Sequence, residues 1–373
     1  MVDGTCDPAF APVRDVLAAS LESGADLGAA VSVYVDGRRV VDLWGGTADE
    51  RTGRPWRRDT ACVTFSATKA VTATAARHLA DRRGQRLDAP VTDWWPEFAS
   101  AATTLEHLLS HQAGLPAFDR PMTVEEAADA AGMAAHLAGQ TPEWAPGTAH
   151  GYHALTFGWL VGEYVRRLAG QPVGDYVREQ FAPDLWIGVP ESALAALARI
   201  TAGRPAKADD LPDSPHAVRA LISATQDPES PMRRSTGNPA ASFNKPQLLT
   251  AGWPAAGLVA TARDLADFYS RLVGGAILAP DVLRDAVRER VRGADRTLVL
   301  ESAFGLGFMR ACANMHLPPA ARPGAFGHPG ASGALGIGDL DCGLGFAYIP
   351  NVSRPALGDR RAYQLVKAVY ECL

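Results

Sequence analysis

At 373 residues the chain can enclose one large core or two packed lobes, and its 47% hydrophobic and 21% charged residues are those of an ordinary globular protein. Its 41 acidic against 36 basic side chains leave a formal charge of −5, with Lys and Arg scattered, so composition gives no electrostatic reason for nucleic acid or a membrane surface as a partner. No run of about 20 apolar residues is present to span a bilayer. The start, Met1 to Pro8, lacks the basic stretch and apolar run of a signal peptide. Five cysteines (Cys6, Cys62, Cys312, Cys342, Cys372) form an odd set without metal-ligand spacing. They read as reduced thiols of a cytoplasmic protein, and nothing in the pattern asks for a metal or cofactor.

Residues 10–23 carry apolar side chains at helical spacing and stop before Gly24, which predicts a helix. Two β-rich runs, 29–35 and 39–44, flank Asp36-Gly37, a dipeptide that tolerates positive φ at both positions and so predicts a hairpin. From about 66 to 290 the pattern is largely helical, with the better segments at 71–83, 105–110, 124–137, 155–168, 173–180 and 261–273. The longest connection, about 200–255, is polar and proline-rich and is expected to hold little regular structure or to form a lid. Short β-like runs return at 303–310, 325–328, 334–337 and 344–349, and a helix over 361–370 ends the chain. Strands at both ends and helices between predict an α+β fold. One antiparallel sheet is built from both chain ends (1–65 and 295–373) and flanked by helices, and a mostly helical lobe (66–294) is inserted, with the site at their interface.

Three places carry candidate chemistry. In Thr64-Phe65-Ser66-Ala67-Thr68-Lys69, a helix starting near Ser66 sets the hydroxyl and the amine one turn apart on one face, near the positive end of the helix dipole. Serine is a poor nucleophile until a base takes its proton, and a lysine sheltered from water can lose its own proton near neutral pH. The plain alternative is a helix-capping serine beside an exposed lysine. Tyr152, in the loop-like stretch Trp144–His153, can shuttle a proton to a nearby serine, or can simply pack at a helix entrance. His328, in Phe326-Gly327-His328-Pro329-Gly330-Ala331, can offer a proton or a charge near pH 7, and Gly330 lets a ligand approach the backbone; a turn histidine is the alternative.

Together these residues resemble the family of class C β-lactamases, D-alanyl-D-alanine peptidases and family VIII carboxylesterases. Ser66-Ala67-Thr68-Lys69 matches its Ser-x-x-Lys element, Tyr152-His153-Ala154 its tyrosine motif, and His328-Pro329-Gly330 its Lys-Thr-Gly strand motif, in the same order. The tracts Leu108–Pro116 and Pro146-Gly147 are similar as well, so the likeness runs over essentially the whole chain. The resemblance implies the β-lactamase/transpeptidase-like fold and an acyl-enzyme mechanism. Ser66 is then the nucleophile, Lys69 its proton acceptor, and Tyr152 the proton shuttle. His328 orients Tyr152 or touches the leaving group, and the backbone N–H groups of Ser66 and Ala331 hold the oxyanion. Gly330, His153 and Trp253 are expected to contact substrate, Trp253 with Trp144 and Phe243 as the lining of an apolar acyl pocket; the alternatives are loop structure for His153 and core or rim packing for the three aromatics. His150 and His111 are expected to serve loop structure.

Two departures bear on substrate. Ala154 replaces the family's Asn, which binds an amide side chain, and His328 replaces the lysine that pairs with an antibiotic's carboxylate. Both changes point away from β-lactams. The reading favours a carboxylesterase acting on a small or medium ester. Behind it stand an acyltransferase fed by an activated or carrier-bound acyl donor, an amide or lactam hydrolase, and a catalytically inactive binding protein.

Overall fold

The computed structural model describes residues 1–203, 215–354 and 359–373. The chain opens with β1 (Val2–Cys6), α1 (Ala11–Glu22) and the hairpin β2 (Gly28–Val35) and β3 (Arg38–Asp49). Short strands β4 (Arg54–Pro55) and β5 (Cys62–Val63) lead through a 3₁₀ turn, Phe65–Ala67, into α2 (Thr68–Arg82). Next come α3 (Leu105–Leu109), α4 (Ala130–Gly139), α5 (Thr156–Ala169), α6 (Val173–Gln180), β6 (Trp186–Ile187) and β7 (Thr201–Ala202). The middle is completed by α7 (Pro215–Gln226), α8 (Pro231–Gly237), α9 (Pro246–Ala251), β8 (Leu258–Ala260), α10 (Ala262–Val273) and α11 (Pro280–Val287). Five strands follow, β9 (Val291–Gly293), β10 (Ser302–Phe304), β11 (Met309–Arg310), β12 (Ala325–Pro329) and β13 (Leu335–Asp339). Then β14 (Leu344–Pro350), β15 (Val352–Ser353) and α12 (Arg361–Tyr370) close the chain.

The large sheet runs β1-β3-β2-β14-β13-β12-β11-β10-β9, with β4 added to β3, and every pairing in it is antiparallel. The two ends of the chain meet where β2 pairs with β14, Val31 opposite Tyr348. The fold is therefore the β-lactamase/transpeptidase-like α+β arrangement. The Asp36-Gly37 turn has φ +47° and +76°, the geometry that joins two twisted strands without splaying them.

Side-chain alternation decides what covers the sheet. On one face Val31, Val33, Ile337 and Phe346 pack with Val13 and Leu17 of α1 and Leu365, Val366 and Val369 of α12. The other face of β13 and β14 carries glycines, and α10 lies directly on them: a Cβ at Gly345 would meet Ser270 N at 2.5 Å, and one at Gly336 would meet the Tyr269 ring at 2.4 Å. Thus a helix from the middle of the sequence packs on the sheet.

Several expectations need correction. The 200–255 stretch contains α7, α8 and α9; only 204–214 lie outside the described residues. Three of the prolines that suggest an irregular connection, Pro215, Pro231 and Pro246, stand at the first helical positions, where the missing N–H costs nothing. The 124–137 helix is split at Asp129, which caps α4 by accepting from Gly132 N–H. The run 303–310 is two short strands, and β1 was not foreseen at all.

Candidate active site

Ser66 is set by a tightly braced turn. Strand β5 pairs with β8, and just beyond it the N–H and the hydroxyl of Thr64 both donate to the Leu258 carbonyl at 2.8 and 3.1 Å. Phe65 then takes φ +49°, a conformation in which a bulky side chain is a steric outlier. This reversal turns Ser66 outward, half-buried, in the 3₁₀ turn ahead of α2 rather than in the helix itself. The loop 254–258 is stitched to the first turns of α2. Thr68 Oγ1 donates to Phe65 O and accepts from Leu258 N–H, and Thr72 Oγ1 donates to Pro254 O at 2.7 Å.

Lys69 is completely buried. Its Nζ lies 3.3 Å from Ser66 Oγ, 2.7 Å from the Ala154 carbonyl and 3.0 Å from the Ala255 carbonyl. None of these is a carboxylate, and burial holds its ammonium well below the usual lysine range. A neutral amine has two N–H groups and one lone pair. Both N–H groups are taken by carbonyls, which leaves the lone pair facing Ser66 O–H.

Tyr152 is buried above this amine, its ring centroid 4.7 Å from Lys69 Nζ. Burial pushes the phenol above its ordinary range, so it stays protonated. His328, on β12, lies opposite with Nε2 3.5 Å from Tyr152 Oη and Nδ1 2.7 Å from the Pro329 carbonyl. A carbonyl only accepts, so Nδ1 carries the proton. Burial first, then the nearby Lys69, lowers His328 to about 3. The imidazole is therefore neutral and its Nε2 accepts from Tyr152 O–H, which corrects the expectation that His328 brings a proton or a charge.

The Tyr152 loop is clamped from two sides by groups that the sequence did not single out. Ser235, buried on α8, donates to Tyr152 O at 3.1 Å and accepts from Ala154 N–H at 3.0 Å. Asp295 Oδ1 accepts from Tyr152 N–H at 3.0 Å and from Thr297 and Leu298 N–H at 2.8 Å each. Asp295 Oδ2 accepts from Ser302 Oγ, whose remaining lone pair faces His150 Nε2 at 3.0 Å. The local Asx turn of Asp295 is a readable signal; its reach to Tyr152 is not. His111, at φ +62°, accepts from His153 N–H through Nδ1 and packs its ring 5.1 Å from that of Tyr152.

Two expected substrate contacts turn inward. His153 Nδ1 donates to Gly151 O at 2.7 Å, and Nε2 accepts from Leu115 N–H at 3.0 Å, so the ring is spent on joining two loops. Trp253 is 2% exposed and stands behind Phe243, centroids 5.6 Å apart. The half-buried Phe243 and Phe65, 5.4 Å apart edge to face, present the apolar surface beside Ser66. Trp144 is buried edge-on against His153.

Gly330 fits the backbone of β12 against the nucleophile turn; a Cβ there would lie 2.1 Å from Thr64 O. The next residue, Ala331, is exposed in the turn between β12 and β13, and its N–H has no acceptor among the described residues. Among the described residues no cluster of three His, Cys, Asp or Glu side chains is placed to hold a metal, and no helix is long and apolar enough to cross a membrane.

The family model described as Beta-lactamase matches residues 13–371. A Mycobacterium tuberculosis protein, "Esterase/beta-lactamase LipL", is 34% identical, the match covering 94% of this chain and 83% of that protein. Two solved structures are covered in full and cover this chain in full: a penicillin-binding protein homologue from Caulobacter crescentus, at TM-score 0.88 and 33% identity, and a family VIII carboxylesterase, at 0.87 and 32%.

Proposed function

We propose, from the premise that this chain belongs to the beta-lactamase family of serine hydrolases, that it is a carboxylesterase acting on small or medium esters through an acyl-enzyme on Ser66. The observation that carries the proposal is the buried, carboxylate-free Lys69 amine 3.3 Å from Ser66 Oγ. As Ser66 Oγ attacks the acyl carbonyl, Lys69 takes its proton, and the N–H groups of Ser66 and Ala331 receive the oxyanion. Tyr152 gives its proton to the departing alkoxide and regains one from the Lys69 ammonium, and the alcohol leaves. Water then attacks the acyl-enzyme while Lys69 takes its proton; the Lys69 ammonium returns that proton to Ser66 Oγ as the acyl bond breaks, and the acid is released with Ser66 restored. Each well-placed oxyanion donor contributes on the order of 10²–10³ in rate.

Preference for an ester over an anionic acylamino lactam is supported by what the site lacks. Ala154 has no side-chain donor, and its carbonyl is engaged by Lys69. His328 is neutral, with one nitrogen given to Pro329 and the other to Tyr152, so it offers no charge to a carboxylate. The Phe65 and Phe243 edges suit an apolar acyl group. The five unpaired thiols support work in a reducing, cytoplasmic setting.

The test is a panel of p-nitrophenyl esters beside a chromogenic cephalosporin, with and without added alcohol. Ester turnover far above cephalosporin turnover, lost in Ser66→Ala together with fluorophosphonate labelling, is expected. Equal lactam turnover overturns the ester assignment. Transesterified product outrunning the free acid reassigns the enzyme as an acyltransferase.

A further inference from the structure

The turn that carries Ala331 is held from behind by a buried ionic network. Within the turn, Gly330 N–H donates to Ala334 O at 2.7 Å and Gly333 N–H to Gly330 O at 2.9 Å. From the start of α12, Arg361 Nη2 donates to Ser332 O at 2.9 Å, to Val352 O at 3.0 Å and to Asp359 Oδ2 at 2.7 Å. Its Nε reaches Asp359 Oδ1 at 2.9 Å and its Nη1 reaches Asp26 Oδ1 at 2.7 Å. Both ends of the Asp26 pair are withdrawn from water, with side chains 6% and 0% exposed. Tyr348 O–H, on β14, donates to Asp26 from the sheet. Gly333 lies so close that a Cβ would stand 2.5 Å from Asp359 Oδ2 and 2.7 Å from Arg361 Nη2.

A five-residue turn between two strands, with Ala331 exposed at its tip, is ordinarily free to shift by fractions of an ångström, and an oxyanion donor is useful only when it does not. The guanidinium is a rigid planar fork with five donors, so one side chain can fix Ser332 O relative to α12, β15 and the loop after α1 at once. We propose that Arg361 is a positioning residue for the oxyanion turn, acting through Ser332 O; this rests on the reading of Ala331 N–H as an oxyanion donor. Two carboxylates beside one cation keep the arginine paired even when one partner is lost, which makes single variants of the network informative.

The test uses the full-length enzyme acylated on Ser66 with a ¹³C-carbonyl ester, read by infrared difference spectroscopy alongside kcat and KM. Arg361→Lys keeps a cation for Asp26 but loses the fork. It is expected to lower kcat about tenfold or more, to leave KM within about twofold, and to move the acyl carbonyl stretch toward that of the free ester. Asp359→Asn, which leaves the Asp26 pair intact, is expected to do the same more weakly and serves if Arg361→Lys does not fold. Leu17→Ala, on the buried face of α1, is expected to lower the melting temperature without moving the carbonyl stretch. A folded Arg361→Lys or Asp359→Asn enzyme with wild-type kcat and stretch overturns the positioning role. An unpolarised carbonyl in the wild-type acyl-enzyme instead overturns the oxyanion reading of Ala331, and the positioning role with it.

Discussion

Lys69 Nζ points at Ser66 Oγ from 3.3 Å with its other two directions filled by the carbonyls of Ala154 and Ala255. This is a base whose neutral form the site satisfies in full. The amine, not the ammonium, is the working form, and its proton affinity is lowered by burial, so kcat/KM rises with pH through the lysine's folded-state value and levels off above it. Lys69→Met is expected to cut kcat/KM by about 10³-fold or more. Lys69→Arg is expected to give no rescue, because a guanidinium does not give up its proton. A pH–rate profile with ester substrate checks both, and an unaltered acid limb in an active Lys69 variant would reject this base.

Tyr152 offers its O–H to a neutral His328, and that geometry separates two roles. Tyr152→Phe removes the proton donor for the leaving alkoxide and is expected to lower kcat about 10²–10⁴-fold, least with p-nitrophenol, whose anion leaves unaided. His328→Gln keeps an acceptor but shifts it, for an expected loss of about tenfold in kcat with KM little changed. Comparing p-nitrophenyl with alkyl esters distinguishes them. Equal losses on both esters in Tyr152→Phe would remove leaving-group protonation from its duties.

Much of this arrangement was legible because its signals are local. The Asp36-Gly37 turn, α6 and α12 follow from residue spacing, and the Ser66, Lys69, Tyr152 and His328 elements each sit in a short motif. What escaped was set by distant partners. Strand β1 owes its existence to β3, not to its own Val-Asp-Gly-Thr-Cys. Ser235 and Asp295 are ordinary polar residues until folding sets them against the Tyr152 backbone. For His153 and Trp253 the sequence leaves substrate contact beside loop structure or core packing, because neither adjacency to a motif nor an aromatic ring says which way a side chain turns; one is a loop tie and the other core.

Ser235 gives a test of that hidden support. Its hydroxyl lies between Tyr152 O and Ala154 N–H, and Ala154 O in turn holds Lys69. Ser235→Ala leaves a buried N–H without an acceptor and is expected to cost about 1–3 kcal/mol of stability. Because the slack reaches both Tyr152 and Lys69, kcat should fall about tenfold with KM within twofold. Urea denaturation and steady-state kinetics measure the two effects, and a stability loss with unchanged kcat would confine Ser235 to folding.

Acid sensitivity follows from the buried imidazoles. Burial lowers His153 to about 4 and, with Lys69 adding to it, His328 to about 3, against an ordinary histidine value of 6.5. Between these values the unfolded chain binds more protons than the folded one, so stability falls as pH drops. The contribution of His153 is fully present above about pH 6.5 and is lost progressively toward pH 4, on the order of 3 kcal/mol. His153→Gln removes the titrating ring along with a loop tie, so it should be less stable at pH 7 but lose less on going to pH 4.5. Urea midpoints of both proteins at the two pH values decide the point: an equal acid loss in the variant would move the sensitivity to His328 and His111, which are buried in the same cluster.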